Sequence, residues 1–164
     1  MSTCLKMIVL GDPCTGKTSF VTHLRDGVFN NLYSSTIGVD FIKLNLHHNS
    51  KSYKIFLWDT AGQEKFDFLL PLYYRNLSGL IAFYDITENK SFYNIHKWID
   101  KFRRINSNDN IPIIIVGNKT DMDKDRVVSY NQLITFANKN NYLYTECSVK
   151  NNTNLENIFY KMID

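Results

Sequence analysis

A lysine, a hydroxyl and two glycines fall close together in Gly11-Asp12-Pro13-Cys14-Thr15-Gly16-Lys17-Thr18, at a spacing suited to holding a polyphosphate. A run of the form G-x-x-x-x-G-K-[ST] lets the backbone turn tightly enough for successive N–H groups to converge on phosphate oxygens. A helix starting here adds partial positive charge, Lys17 adds a full one, and Thr18 offers a hydroxyl to Mg²⁺. Asp12, Pro13, Cys14, Thr15, Gly16, Lys17, Thr18 and Ser19 are therefore the candidate phosphate site. The competing reading is a glycine-rich turn without a ligand. A second stretch, Asn118-Lys119-Thr120-Asp121, addresses the base. A carboxylate accepting two hydrogen bonds matches the N1–H and exocyclic amine of guanine, whereas adenine would leave its charge unpaired. The competing reading here is a polar loop with an incidental aspartate.

These motifs need positioning at strand ends. Residues 6–10 form an apolar run ending at a glycine, and beyond the loop Phe20, Val21 and Leu24 share a helical face. The phosphate loop thus joins a strand to a helix. Residues 40–47 alternate, with Ile42, Leu44 and Leu46 opposite Phe41, Lys43 and Asn45; 48–51 reads as a turn and 53–58 as the returning strand of an antiparallel hairpin. Strands are expected over 79–86, 112–117 and 142–147, alternating with helices over 91–105, 129–139 and 153–162. Phe92, Ile95, Ile99 and Phe102 recur at helical spacing, and Ser129-x-x-Gln132 and Thr153-x-x-Glu156 read as capping boxes. Such alternation calls for an α/β fold with a mostly parallel sheet, helices on both faces and ligands at the carboxyl ends of the strands. Asp121 sits just beyond such an end.

The chain has 164 residues, enough for one domain (1–164) with its own core and no disulfide staples. Its net charge of +3 gives no reason to expect a nucleic-acid partner. The cysteines, Cys4, Cys14 and Cys147, lack metal-type spacing and suit a reducing compartment, which points to the cytoplasm. The longest apolar runs are too short to cross a bilayer. Ser at position 2 excludes myristoylation, and the end Met162-Ile163-Asp164 offers no cysteine for prenylation. Either a lipidated tail lies outside this sequence or membrane association takes another route.

Four segments together resemble the small GTPases of the Ras superfamily, and specifically the Rab branch: the phosphate loop, Asn118-Lys119-Thr120-Asp121, Trp58-Asp59-Thr60-Ala61-Gly62-Gln63-Glu64 and Cys147-Ser148-Val149-Lys150. The resemblance covers essentially the whole chain. It implies a P-loop NTPase G domain with a six-stranded, mostly parallel sheet and one antiparallel edge strand. It implies GTP and GDP as ligands and Mg²⁺ held by Thr18, Thr36 and, through water, Asp59. By the same resemblance the phosphate donors are mainly the amides of 14–18. Gly62 senses the γ-phosphate, Gln63 orients the attacking water, and Lys17, Thr36, Gly62 and Gln63 form the catalytic set. Phe29 stacks on guanine or merely anchors its loop; Tyr33 covers the phosphates. Asn118, Lys119, Asp121, Ser148, Val149 and Lys150 surround the base, the Val149 N–H meeting guanine O6.

Ile37, Gly38, Val39, Asp40 and Phe41 resemble the Rab effector segment. Trp58 and Tyr73 complete an aromatic triad with Phe41, unless one or more of the three packs beneath the second switch. Alternation puts Phe41 and Trp58 on the face away from the core, where exposed aromatics suit partner binding. The chain departs from the family at Asp12-Pro13-Cys14, where small residues or glycine are common; Pro13 fixes φ and removes an N–H. No arginine finger is evident in cis, so slow intrinsic hydrolysis is expected. The implied partners are an exchange factor, a GTPase-activating protein and trafficking effectors, the chain itself being a monomer in the cytoplasm or on the cytosolic face of a membrane. The alternative is a hydrolysis-poor, GTP-binding protein that sequesters trafficking factors.

Overall fold

The computed structural model describes residues 3–27, 39–60, 74–106, 108 and 110–164, with the side chains of Val39 and Asp40 left out. The expected site residues Phe29, Tyr33, Thr36, Ile37, Gly38, Gly62, Gln63 and Tyr73 lie outside the described residues.

Strands β1 (Thr3–Leu10), β2 (Val39–His48), β3 (Lys51–Thr60), β4 (Gly79–Asp85), β5 (Ile113–Asn118) and β6 (Leu143–Glu146) form a six-stranded sheet in the order β2-β3-β1-β4-β5-β6. All pairings are parallel except β2 with β3. Their hairpin turns at Asn49 and Ser50, with φ of 49° and 61°, the pair of positive values a two-residue turn needs to follow strand twist. Among the described residues the helices are α1 (Lys17–Asp26), α2 (Asn89–Tyr93), α3 (Ile95–Ile105), α4 (Tyr130–Lys139) and α5 (Leu155–Ile163), with a 3₁₀ turn at Thr120–Asp125.

Strand periodicity decides what covers each face. Ile8, Leu10, Leu80, Ala82 and Tyr84 meet Ile95, Ile99, Phe102 and Leu133 from α3 and α4. Met7, Val9, Ile81 and Phe83 meet Phe20 and Val21 of α1 and Ile158 and Phe159 of α5. Central strands are buried on both sides, and each such large apolar side chain contributes about 1.5–3 kcal/mol by leaving water. The chain crosses from β1 toward β3 on one side and from β4 toward β5 on the other. The crevice between these crossovers, at the carboxyl ends of β1 and β4, is where ligands bind in such sheets.

Two expectations need correction. The helix expected over 91–105 starts at Asn89 and is divided at Asn94, which closes α2 and opens α3 while its side chain leaves for the phosphate loop. Thr153 does not cap the last helix: its backbone pairs with Ser148 in an isolated bridge, so Asn154, in the left-handed region at φ 61°, precedes α5 without a side-chain cap. The Ser129–Gln132 capping box forms as expected.

Candidate nucleotide site

At the phosphate end, β1 delivers the chain into the loop through Gly11 at φ 144°, where a β-carbon would collide with the Phe83 carbonyl of β4. Gly16 precedes α1 at φ 100°, and a β-carbon there would overlap the Asn118 amide. Cys14, exposed, also has positive φ, 64°. Thr15 is buried and its hydroxyl donates to the Asp12 carbonyl (2.9 Å). Lys17 is 5% exposed, and its ammonium donates to the same carbonyl at 2.7 Å. Burial lowers the Lys17 pKa to about 8, with the Asp59 and Asp12 carboxylates opposing the shift. The loop therefore holds a desolvated cation at the start of a helix, poised for an anion. Pro13 and Ser19 lie at the two ends of this turn in sequence, Pro13 exposed and Ser19 half-buried.

The Asp12 carboxylate points away from the loop interior. Its two oxygens accept from Asn94 Nδ2 and Trp98 Nε1, each at 2.7 Å. Thr18 Oγ1 donates to Asp59 Oδ2 at 2.7 Å, across from the end of β3. Asp59 is 1% exposed. A hydroxyl and a carboxylate converging at the phosphate loop form an all-oxygen set suited to a hard divalent cation.

At the base end, Asn118 closes β5 and is 3% exposed. Its Nδ2 donates to the Thr15 carbonyl (3.0 Å), while its Oδ1 accepts from Val149 N–H (3.1 Å) and the Cys147 thiol (3.5 Å). One amide thus joins the phosphate loop to both base loops. The Val149 N–H, expected at guanine O6, is engaged by Asn118. Ser148 Oγ donates to Asp121 Oδ1 at 2.6 Å and receives the Asn151 N–H, fixing the exposed carboxylate from one side. Lys119, at φ 72°, pairs its ammonium with Asp85 at the end of β4. Lys150 is exposed beside Val149.

Sequence reading missed Asn94, Trp98, Asp85, Arg126 and Glu146. Arg126 makes a two-pronged ion pair with Glu146 (2.7 and 2.9 Å) and reaches Asp123 (2.6 Å), tying the segment after Asp121 to the strand before Ser148. Opposite charges flanking the two base motifs were a faint signal; the sheet register that joins them was not readable.

Phe41, 52% exposed, stacks on Trp58 with ring centroids 4.9 Å apart. Trp58 itself is half-buried against the core, with the Lys6 ammonium 5.3 Å from its ring, so only part of the expected exposed pair is open. Val39 and Asp40 continue the same strand opposite Thr60 and Asp59.

A P-loop between β1 and α1, with Asn118-Lys119-Thr120-Asp121 at and beyond the end of β5, is the architecture of a nucleotide-binding G domain. The family model described as "Ras family" matches residues 6–164, and the chain belongs to that family. It is 38% identical to the Ras-related protein Rab-13 of Canis lupus familiaris over 94% of the chain and 75% of that protein. It is 36% identical to the Ras-related protein Rab-3A of Homo sapiens over 97% of the chain and 72% of that protein. The protein is accordingly a Rab-like small GTPase: it binds GTP and GDP, hydrolyses GTP, and acts as a switch in membrane trafficking. Exchange factors, activating proteins and effectors are the partners of this family. No helix among the described residues is long and apolar enough to cross a membrane.

Proposed function

We propose that the crevice at the carboxyl ends of β1, β4 and β5 binds Mg²⁺-GTP, with the polyphosphate on 12–19 and guanine against Asn118, Lys119, Asp121, Ser148, Val149 and Lys150. The observation that carries this reading is Asn118, whose single buried amide braces the phosphate loop and the base loops together. The close approach of Gly16 to that same Asn118 amide, which a β-carbon would overlap, supports it.

In this reading Lys17 neutralises the β- and γ-phosphates, and Asp121 accepts from guanine N1–H and N2–H₂ while Ser148 holds its orientation. Thr18, Asp59 and Thr36 are the residues that would hold Mg²⁺, which when bound neutralises charge developing on the phosphates. Gln63 orients a water for in-line attack on the γ-phosphorus. The new P–O bond forms as the bond to the bridging oxygen breaks, leaving GDP and inorganic phosphate. Gly62 reads the γ-phosphate, Phe29 and Tyr33 cover base and phosphates, and departure of phosphate releases Ile37, Gly38, Val39, Asp40, Phe41, Trp58 and Tyr73 from effectors. The protein works as a cytoplasmic monomer that visits the cytosolic face of a membrane.

Single-turnover hydrolysis of GTP by the purified chain and by Gln63→Leu tests the catalytic assignment. The wild type is expected to turn over slowly and the variant at least about tenfold more slowly, positioning being the main contribution in this chemistry. Equal rates would remove Gln63 from the mechanism.

A further inference from the structure

We infer that Asp12 is a positioning residue for Lys17, held in place from helix α3 by Asn94 and Trp98. The Asp12 side chain does not face the phosphate site: both carboxylate oxygens are taken, one by Asn94 Nδ2 and one by Trp98 Nε1, each at 2.7 Å. Its main chain does face that site, since the Asp12 carbonyl accepts from Lys17 Nζ at 2.7 Å and from the Thr15 hydroxyl at 2.9 Å. One residue therefore links α3 on its outer side to the phosphate-binding cation on its inner side.

The local chain explains the need for such a strut. Asp12 precedes Pro13, so the helical region of backbone space is disfavoured for it and the carbonyl direction is set largely by where the residue is anchored. The loop between Gly11 and Gly16 contains one further residue at positive φ, Cys14, and its conformation is not enforced by regular secondary structure. Trp98 is 9% exposed and packs in the core with Ile95 and Ile99, so its indole N–H is a fixed donor. Asn94 sits at the break between α2 and α3, where its side chain is free to leave the helix. A charge-assisted bond from each makes the anchor strong. Loss of the anchor lets the Asp12 carbonyl turn and Lys17 lose its aim at the polyphosphate.

This inference rests on Lys17 as the phosphate cation, and the experiment separates the two. Dissociation of a fluorescent GDP is followed in Asp12→Ala, Asp12→Asn, Asn94→Ala/Trp98→Phe and Lys17→Ala, with thermal melting measured beside each. Asp12→Ala and the Asn94→Ala/Trp98→Phe pair are expected to release GDP about tenfold faster, the scale of a lost charge-assisted hydrogen bond. Asp12→Asn is expected to stay within about threefold of wild type, because Asn94 turns its amide to accept where it donated. Ile99→Val, buried on α3 in the core cluster, is the control: it lowers the melting temperature and leaves release unchanged. Wild-type release from the Asn94→Ala/Trp98→Phe protein overturns the strut, as does equal release from Asp12→Ala and Asp12→Asn, which would mean that the carboxylate acts by its charge. Faster release from Ile99→Val would assign the effect to helix stability and overturn it too. If Lys17→Ala binds GDP like wild type, the site reading itself fails.

Discussion

The base end and the phosphate end of this site are built by different means. At the base end the proposed recognising group is a side chain held by other side chains: Asp121 is gripped by Ser148, and the two loops are joined by Asn118 and the Arg126–Glu146 pair. At the phosphate end the proposed donors are backbone groups, in a loop shaped by Gly11 and Gly16 and anchored sideways through Asp12. On this reading base choice is open to change at one atom, whereas phosphate affinity depends on the course of a whole loop. Asn118 is the point where the two constructions meet.

Breaking that junction should have the largest effect. Asn118→Ala removes the donor to Thr15 and the acceptor for Val149 N–H, leaving buried main-chain groups unpaired. Two such losses at about 1–3 kcal/mol each predict at least about 30-fold faster GDP release and a lower melting temperature. An effect confined to base preference would mean that the two ends are independent.

A smaller effect is expected from Arg126→Met, which keeps the length of the side chain but frees Glu146. Both groups are mostly buried, with side-chain exposures of 21% and 14%. GDP release should quicken about tenfold, and GTP should lose part of its advantage over ITP because Asp121 is less well aimed. The charge-reversed pair Arg126→Glu/Glu146→Arg should recover part of the loss. If the variant melts earlier but discriminates bases as before, the ion pair supports the fold and not the site.

The phosphate end should show itself through pH. In the nucleotide-free chain Lys17 titrates near 8, below the 10.5 of an unfolded lysine. Burying its charge therefore costs stability below pH 8, and that cost is relieved as pH rises from 8 toward 10.5. Nucleotide binding has the opposite sign: bound phosphates favour the ammonium, so affinity should fall as pH rises above about 8, by at most about tenfold per unit. Lys17→Arg, which stays charged throughout, should flatten the profile. A flat wild-type profile between pH 7.5 and 9.5 would detach this lysine from the phosphates.

Strand periodicity and the alternation with helices make the sheet legible in the sequence, and the loop at 11–18 declares itself by pattern. The bounds moved by a few residues because strands lengthen where a neighbour offers pairing, as β3 does between β1 and β2. The Thr153 capping box failed because a main-chain bridge to Ser148 outcompeted a local side-chain bond. Trp98 was invisible as a site residue because a tryptophan on a buried helical face reads as core, and here it is both core and hydrogen-bond donor. Arg126 and Glu146 escaped notice because twenty residues of chain separate two groups that the β5–β6 pairing brings together.

The most direct test of the guanine site is the base preference of Asp121→Asn, measured by competition of GDP against XDP. Replacing an acceptor oxygen with an N–H donor should cost GDP about 100-fold in affinity and move preference toward xanthine, whose 2-oxo group accepts that donor. Unchanged preference for guanine would contradict the placement of the base at Asp121.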